Sequence, residues 1–276
     1  MSLKLFYLTT EISPFASTSP LGEFSVKVPL ALQSSGHDIR TILPKYGFVS
    51  ERKYILREVI RLREIPFEYE GEELKASAKS AFIPKTRVQV YFLEDDHWFK
   101  PLTTLLYKSK NGRVLNDNDT RFSFFSKAAL ATLPHLFWSP DILICNSWQT
   151  TFVPALYQQI YKDQEFYEGI KTTQIVHHFD DYATFSRESF EKAGITLPKE
   201  IKGDMINGYE VAAYFTDQIV VLNKPGDDNL KKLMELPGVA KNKDKIVSID
   251  LDDSESPDYN AFTSIFEEAL LKLSDS

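Results

Sequence analysis

Short apolar runs recur along this chain with helix-length segments between them, and that alternation restricts the fold more than any other feature. Leu3-Lys-Leu-Phe-Tyr-Leu8, Ile39-Arg-Thr-Ile-Leu43, Val88-Gln-Val-Tyr-Phe-Leu93, Asp141-Ile-Leu-Ile-Cys145 and Gln218-Ile-Val-Val-Leu222 are of strand length, as is the segment 172–176. A strand that is apolar along its whole length needs cover on both faces, which is the state of strands in a parallel sheet. After the first run, apolar residues at Phe24, Val26, Val28, Leu30 and Leu32 predict a helix from Phe24 that stops at Ser34-Ser-Gly36, with Pro29 near its first turn. Helices are also expected over 120–133, 150–160, 205–215 and 227–235, with a last strand over 245–249. Residues 259–273 form an amphipathic helix carrying Phe262, Ile265, Phe266, Ala269 and Leu270 on one face. The expected architecture is α/β: a single doubly wound, Rossmann-like domain with a mostly parallel sheet over residues 1–250. A polar linker and the C-terminal helix, residues 251–276, pack back onto it.

Residues 54–93 depart from the alternation. They are rich in β-branched and aromatic residues, with turn signals at Glu70-Gly-Glu72 and Pro84, and predict a β-hairpin insertion that feeds the strand 88–93. Residues 94–118 then read as a long aromatic and polar loop, either functional or a plain surface insertion. With 32 basic against 39 acidic residues and no basic stripe, the chain lacks the electrostatic footprint of a nucleic-acid binder. A single cysteine, Cys145, excludes an internal disulfide framework and a multi-cysteine zinc site. The first apolar run lacks the length and flanks of a signal peptide, and no run approaches the roughly 20 residues that span a bilayer, so a cytoplasmic protein is expected.

Ligands of open α/β sheets bind beyond the carboxyl ends of the strands, so the loops after Leu8, Leu93, Cys145 and Val176 are where chemistry is sought. The first holds Pro14-Phe-Ala-Ser-Thr-Ser-Pro-Leu-Gly22, which matches no glycine-rich phosphate motif and reads either as a cradle for phosphate or sugar hydroxyls or as an ordinary connection. Asn146-Ser-Trp-Gln149 follows a buried strand and reads as a sugar-binding turn or a capped helix start. Ser147 has no base partner in the sequence and is not read as a nucleophile. His177-His-Phe-Asp-Asp181 invites a metal, but neighbouring residues of an extended chain point to opposite faces, which favours a pocket-lining His177 over an ion. Asp95, Asp96 and His97 read as an acid–base pair or, preferably, as an acidic surface loop. No metal and no cofactor are expected.

The order of these segments resembles the glycogen and starch synthase family. Thr10-Glu-Ile-Ser-Pro-Phe-Ala-Ser-Thr-Ser-Pro-Leu-Gly-Glu23 stands for the family's S-E-x-x-P-F-x-K-T-G-G-L-G-D, and Gly36-His-Asp-Ile-Arg-Thr-Ile-Leu-Pro-Lys-Tyr46 for G-H-x-V-x-x-x-x-P-x-Y. Asp117-Asn-Asp-Thr-Arg-Phe122 stands for D-N-x-x-R-F, and Pro140-Asp-Ile-Leu-Ile-Cys-Asn-Ser-Trp-Gln-Thr150 for P-D-I-V-H-A-H-D-W-Q-T. His177 keeps the histidine of K-T-x-x-T-I-H-N, and Val220-Val-Leu-Asn223 follows the A-D-x-x-x-T-V-S pattern. The likeness covers roughly residues 3–225, carried by the order and spacing of the motifs rather than by any one of them.

The resemblance implies a domain of GT-B type and glucosyl transfer from ADP-glucose to an α-1,4-glucan. It implies His177 as the catalytic residue lining the glucose site and stabilising charge at the transferring sugar. Its substrate-binding positions fall on Ser17, Thr18, Gly22, Glu23, Asp117, Asn118, Arg121, Asn146, Ser147, Trp148 and Gln149. The departures fall on the same positions: the family's phosphate-facing lysine is Ser17, its two glycines are Ser19 and Pro20, and its H-D pair is Asn146-Ser147. The residues after Pro225 are too few for a second Rossmann domain, so the chain is expected to be inactive as an isolated half. Its partners are then an α-glucan or sugar nucleotide and a separately encoded C-terminal half, with no nucleic acid and no membrane. A non-catalytic glucan-binding or regulatory protein is the alternative. A different sugar-nucleotide enzyme would need a phosphate site that no glycine-rich loop supplies.

Overall fold

The computed structural model describes residues 1–102, 106–180, 182–252 and 257–276. The apolar runs form strands β1 (Lys4–Leu8), β2 (Asp38–Pro44), β3 (Arg57–Glu58), β4 (Ile65–Tyr69), β5 (Glu72–Phe82), β6 (Gln89–Glu94), β7 (Ile142–Asn146), β8 (Lys171–Val176), β9 (Thr184–Ser186), β10 (Met205–Asn207), β11 (Gln218–Asn223) and β12 (Ile246–Asp250). The helices are α1 (Leu21–Ser34), α2 (Glu51–Tyr54), α3 (Asn118–Thr132), α4 (Phe152–Leu156), α5 (Arg187–Lys192), α6 (Gly208–Phe215), α7 (Asn229–Met234), α8 (Pro237–Lys241) and α9 (Tyr259–Ser274).

Ten strands make one sheet in the order β12-β11-β8-β7-β1-β2-β6-β5-β3, with β4 also paired to β5. All neighbours from β12 to β6 run parallel. The expected α/β fold with a large, mostly parallel sheet is therefore present. From β1 the chain builds outward through β2 and β6 on one side, then returns to β7 and builds through β8, β11 and β12 on the other. The order reverses between β1 and β7, and the carboxyl ends there open the crevice that such sheets use for ligands. β1 and β7 are buried at nearly every residue, which requires cover on both faces. One helical group joins α1 to α9, and another joins α3, α4, α6 and α8.

The hairpin insertion is β4–β5, turning through Glu70 and Gly71, both at positive φ (55° and 79°), the backbone of a tight two-residue hairpin turn. Several boundaries differ from expectation. α1 begins at Leu21 rather than Phe24, because Pro20 (φ −56°) already has the helical backbone angle at the cap. Pro29 thus sits in the helix interior, where its ring is buried against the core and gives up one intrahelical hydrogen bond. Part of 54–66, expected as strand, is instead the end of α2 and a single 3₁₀ turn over Ile60–Leu62. Met205–Asn207, expected as the first turn of a helix, pairs antiparallel with β9. Asn207 accepts from the Tyr209 N–H and caps α6 there, so the helix starts at Gly208. The region 150–160 is helical but ends in a π turn, Tyr157–Tyr161. On α9, Phe262, Phe266, Ala269 and Leu270 are buried, but Ile265 is 49% exposed, so the apolar stripe is narrower than the sequence suggests. The linker positions 253–256 lie outside the described residues. No helix among the described residues is long and apolar enough to cross a membrane.

Candidate functional site

A cavity of about 280 Å³ opens at the switch point, beyond the carboxyl ends of β1, β7, β8, β11 and β12. The loop after β1 contributes Ser19 and Pro20, and α1 adds Leu21 and Phe24. The turn after β7 gives Ser147, Trp148 and Gln149, and the segment after β8 gives His177, His178, Asp180 and Tyr182. Lys224, Asp227 and Leu251 close the far side together with Tyr259 of α9.

His177 is held on two sides. Asn146, fully buried, donates from Nδ2 to the Leu8 carbonyl at 3.0 Å, which leaves its Oδ1 as an acceptor facing His177 Nε2 at 3.2 Å. The ring therefore carries its proton on Nε2 and is unprotonated at Nδ1. Phe24 meets the ring edge-on with centroids 4.4 Å apart. Burial, and then the nearby charge of Lys224, push the imidazole down to about 3, so at neutral pH the ring is uncharged.

Ser147 has φ 64° and ψ −179°, a backbone region that side chains other than glycine seldom occupy. Its neighbours fix it there. Its N–H donates to the Ile175 carbonyl at 2.9 Å, and its carbonyl accepts from Gln174 Nε2 at 2.9 Å. This sharp corner turns Trp148 and Gln149 into the cavity. Trp148 is 1% exposed and packs edge-on with Tyr107 and Phe122. Gln149 Oε1 is buried without a hydrogen-bond partner among the described residues.

Other expected site residues stand behind the cavity rather than in it. Asn118 Nδ2 donates to the Tyr107 carbonyl at 3.0 Å, and Arg121 bonds to the Leu106 carbonyl, Asn118 and Asp117. Asp117, Asn118 and Arg121 thus shape the loop that carries Tyr107, which stacks on Tyr182 with centroids 5.6 Å apart. Ser17, Thr18, Gly22 and Glu23 lie on the loop and the first turn of α1 but do not line the cavity. Gly22 packs so closely on Ser17 that a Cβ would fall 2.6 Å from its Oγ.

Sequence reasoning passed over Glu11. Its buried carboxylate accepts from the N–H groups and hydroxyls of both Thr18 and Ser19. The signal available was its place in the first family motif. Tyr107, Tyr182 and Tyr259 were also missed, since nothing local marks which aromatic residues of a loop turn inward. His178 Nε2 lies 3.9 Å from Asp180 Oδ1. No group of three potential metal ligands gathers among the described residues, and Asp181 of the same cluster lies outside them. Asp95 accepts from the His97 and Trp98 N–H groups and builds a turn away from the cavity.

The family model for the starch synthase catalytic domain matches residues 4–224. The chain belongs to this family. Among similar curated proteins, the glycogen synthase of Chlorobium luteolum is 35% identical over 202 residues, covering 72% of this chain and 40% of the relative. The glycogen synthase of Chlorobium limicola is 30% identical over 229 residues, covering 81% of this chain and 46% of the relative. The chain thus spans less than half the length of these relatives. Among solved structures, the catalytic domain of starch synthase IV from Arabidopsis thaliana bound to ADP and acarbose superposes with a TM-score of 0.74. It is 23% identical, and the match covers 90% of this chain and 51% of that one. That likeness establishes the shared fold, so the starch synthase frame expected from the ordered motifs is present through β11.

Proposed function

We propose that this chain is the sugar-holding part of a glycogen synthase-type glycosyltransferase, that the family reaction is glucosyl transfer from ADP-glucose to an α-1,4-glucan, and that the chain transfers nothing by itself. The observation that carries this reading is the cavity at the switch point, walled by Trp148, Tyr107, Tyr182 and Tyr259 and edged by the polar groups of Gln149 and His177. Aromatic faces with a few oriented polar groups suit a sugar ring. The glycogen synthase relatives and the starch synthase neighbour bound to ADP and acarbose support the same substrate classes.

His177 enters any transfer as a neutral ring. Its Nε2–H is committed to Asn146, so Nδ1 is the atom left to accept from a sugar hydroxyl, and the ring stabilises developing charge as a dipole rather than as a cation. A cytoplasmic location and completion of the site by a C-terminal GT-B half are parts of the same proposal. The test is transfer of labelled glucose from ADP-glucose to glycogen by the purified chain, expected to stay at background. Turnover that survives purification and vanishes in His177→Ala would overturn it.

A second reading, a glucan-binding protein without catalysis, is favoured by the absence of a carboxylate at Asn146-Ser147. Supplying the C-terminal half of a glycogen synthase separates the two: restored, His177-dependent transfer supports the first reading, and unchanged background supports the second.

A further inference from the structure

A groove of about 310 Å³ lies at the edge of the sheet, where β3 leaves β5, and none of its lining residues belongs to the cavity at the switch point. Its cause is local. β3 pairs with β5 only at Arg57↔Ser80 and Glu58↔Lys79, and in the same register Ile55 would stand opposite Phe82. Ile55 instead caps α2 in the left-handed region (φ 54°, ψ 51°), with its N–H turned back to the Glu51 carbonyl. On the other side of β5, the Ile83 N–H donates to the Val88 carbonyl at 3.0 Å. Backbone groups of a strand alternate in direction, so the N–H and C=O of Phe82 face the side that β3 has left.

Two features of this groove are not required by the fold. A helix that ends in the left-handed region is served by glycine or asparagine, and a β-branched residue there is an outlier. Ile55 holds that backbone with a side chain that is 68% exposed and outside the hydrophobic cluster, so neither the turn nor the core uses it. Phe82, across the groove, is 55% exposed. Apolar groups open to water beside a strained position mark a contact surface. The second feature is charge. The charged residues among the described lining are Lys53 and Arg57, both basic, and neither is ion-paired among the described residues. The nearby carboxylates are committed elsewhere, Glu51 to Lys45 and Lys79 and Glu58 to Arg63. In a chain of net charge −7 this is a basic spot. Lys53 Nζ lies 4.9 Å from the centre of the Tyr54 ring, and the Tyr54 hydroxyl donates to the Pro14 carbonyl at 2.8 Å, which fixes this wall in advance of any partner.

We propose that the groove docks an extended acidic peptide segment of a partner protein: an apolar side chain enters between Ile55 and Phe82, flanking carboxylates meet Lys53 and Arg57, and the peptide backbone bonds to that of Phe82. The open strand edge supplies the main-chain contact, the groove selects the side chain, and the basic pair selects the charge of the partner.

Fluorescence anisotropy with a labelled acetyl-Glu-Asp-Val-Phe-Val-Asp-Glu-amide peptide and the full chain tests it. The controls are the same peptide with lysine at every acidic position, and with alanine at every apolar position. The expected result is saturable binding of the acidic peptide, weakened by added salt, and binding at least tenfold weaker for both controls. No saturable binding, or equal binding of the lysine peptide, would overturn the proposal. The double variant Lys53→Glu, Arg57→Glu should lose at least tenfold in affinity, and an unchanged affinity would overturn it as well. Ile55→Gly separates contact from packing: it should raise the melting temperature, because the turn is relieved, while weakening the peptide at least fivefold. A lower melting temperature with unchanged affinity would make Ile55 a structural residue and overturn its role. Sedimentation that shows self-association abolished by Phe82→Ser would identify the occupant as a second copy, and phosphatidylserine vesicles that bind through the same residues while the peptide does not would identify it as a membrane; either overturns the peptide assignment. Should a variant fail to fold, the three wild-type titrations decide the question.

Discussion

At neutral pH His177 is an uncharged ring between Asn146 and Phe24, and that has a consequence for stability. The folded ring takes a second proton only at about pH 3, whereas an unfolded histidine takes one near pH 6.5. Between those values the unfolded chain binds more protons, so stability rises with pH by up to about 1.4 kcal/mol per unit. The contribution is fully present above pH 6.5 and is lost as pH falls toward 3. Melting temperatures measured from pH 7.5 to 4.5 should therefore drop more steeply for the wild type than for His177→Gln; parallel curves would assign the acid sensitivity to other groups. Ser147 gives a second test. Its φ of 64° strains any residue with a Cβ, by about 1–3 kcal/mol. Ser147→Ala keeps the strain, whereas Ser147→Gly relieves it, and both remove the hydroxyl. The glycine variant should be the more stable of the two by about 1 kcal/mol, read from denaturant midpoints, and the reverse order would show that the corner is not strained.

Among the elements, α9 couples stability to the site. Phe262 and Tyr259 meet Phe24 of α1 with centroids 5.1 and 5.3 Å apart, and Tyr259 is part of the cavity wall. Farther along, Glu267 pairs with His37 Nε2 at 3.1 Å, while His37 Nδ1 accepts from the Leu3 N–H. The helix thus docks on α1 and on the start of the sheet. Burial of Phe262, Phe266 and Leu270 alone is worth on the order of 5 kcal/mol. Removing residues 257–276 should lower the melting temperature by more than 10 °C or cause aggregation. A truncated chain that melts like the wild type would mean that α9 is a detachable tail.

Over the whole molecule, one hydrophobic cluster runs from Leu3 through the sheet to Leu273. The insertion joins it as well, since Phe67 and Tyr69 of the hairpin pack on Phe124 of α3. With the hairpin, the sheet and α9 sharing one core, thermal unfolding should be a single transition in which circular dichroism and tryptophan fluorescence coincide. An early step in either signal would show that one of these parts unfolds independently.

The strands were readable because burial on both faces leaves an unbroken apolar run, a signal that needs no partner to be recognised. The hairpin turn at Glu70-Gly71 and the docking stripe of α9 were readable for the same reason, since local chemistry dictates them. The place of the cavity also followed from the sequence, because strands in α/β alternation put their following loops at one edge of the sheet. Tertiary structure decided the rest. The small β9–β10 ribbon pairs two three-residue segments with α5 between them, and neither is long or apolar enough to announce itself. Asn118 and Arg121 stand near the site in sequence pattern but act through the Tyr107 loop. Glu11 carries no local mark of a partner, yet the folded loop shows its carboxylate accepting from the N–H groups of Thr18 and Ser19. In each case the deciding interaction joins residues that no local period or spacing connects, so it exists only once the sheet has brought them together.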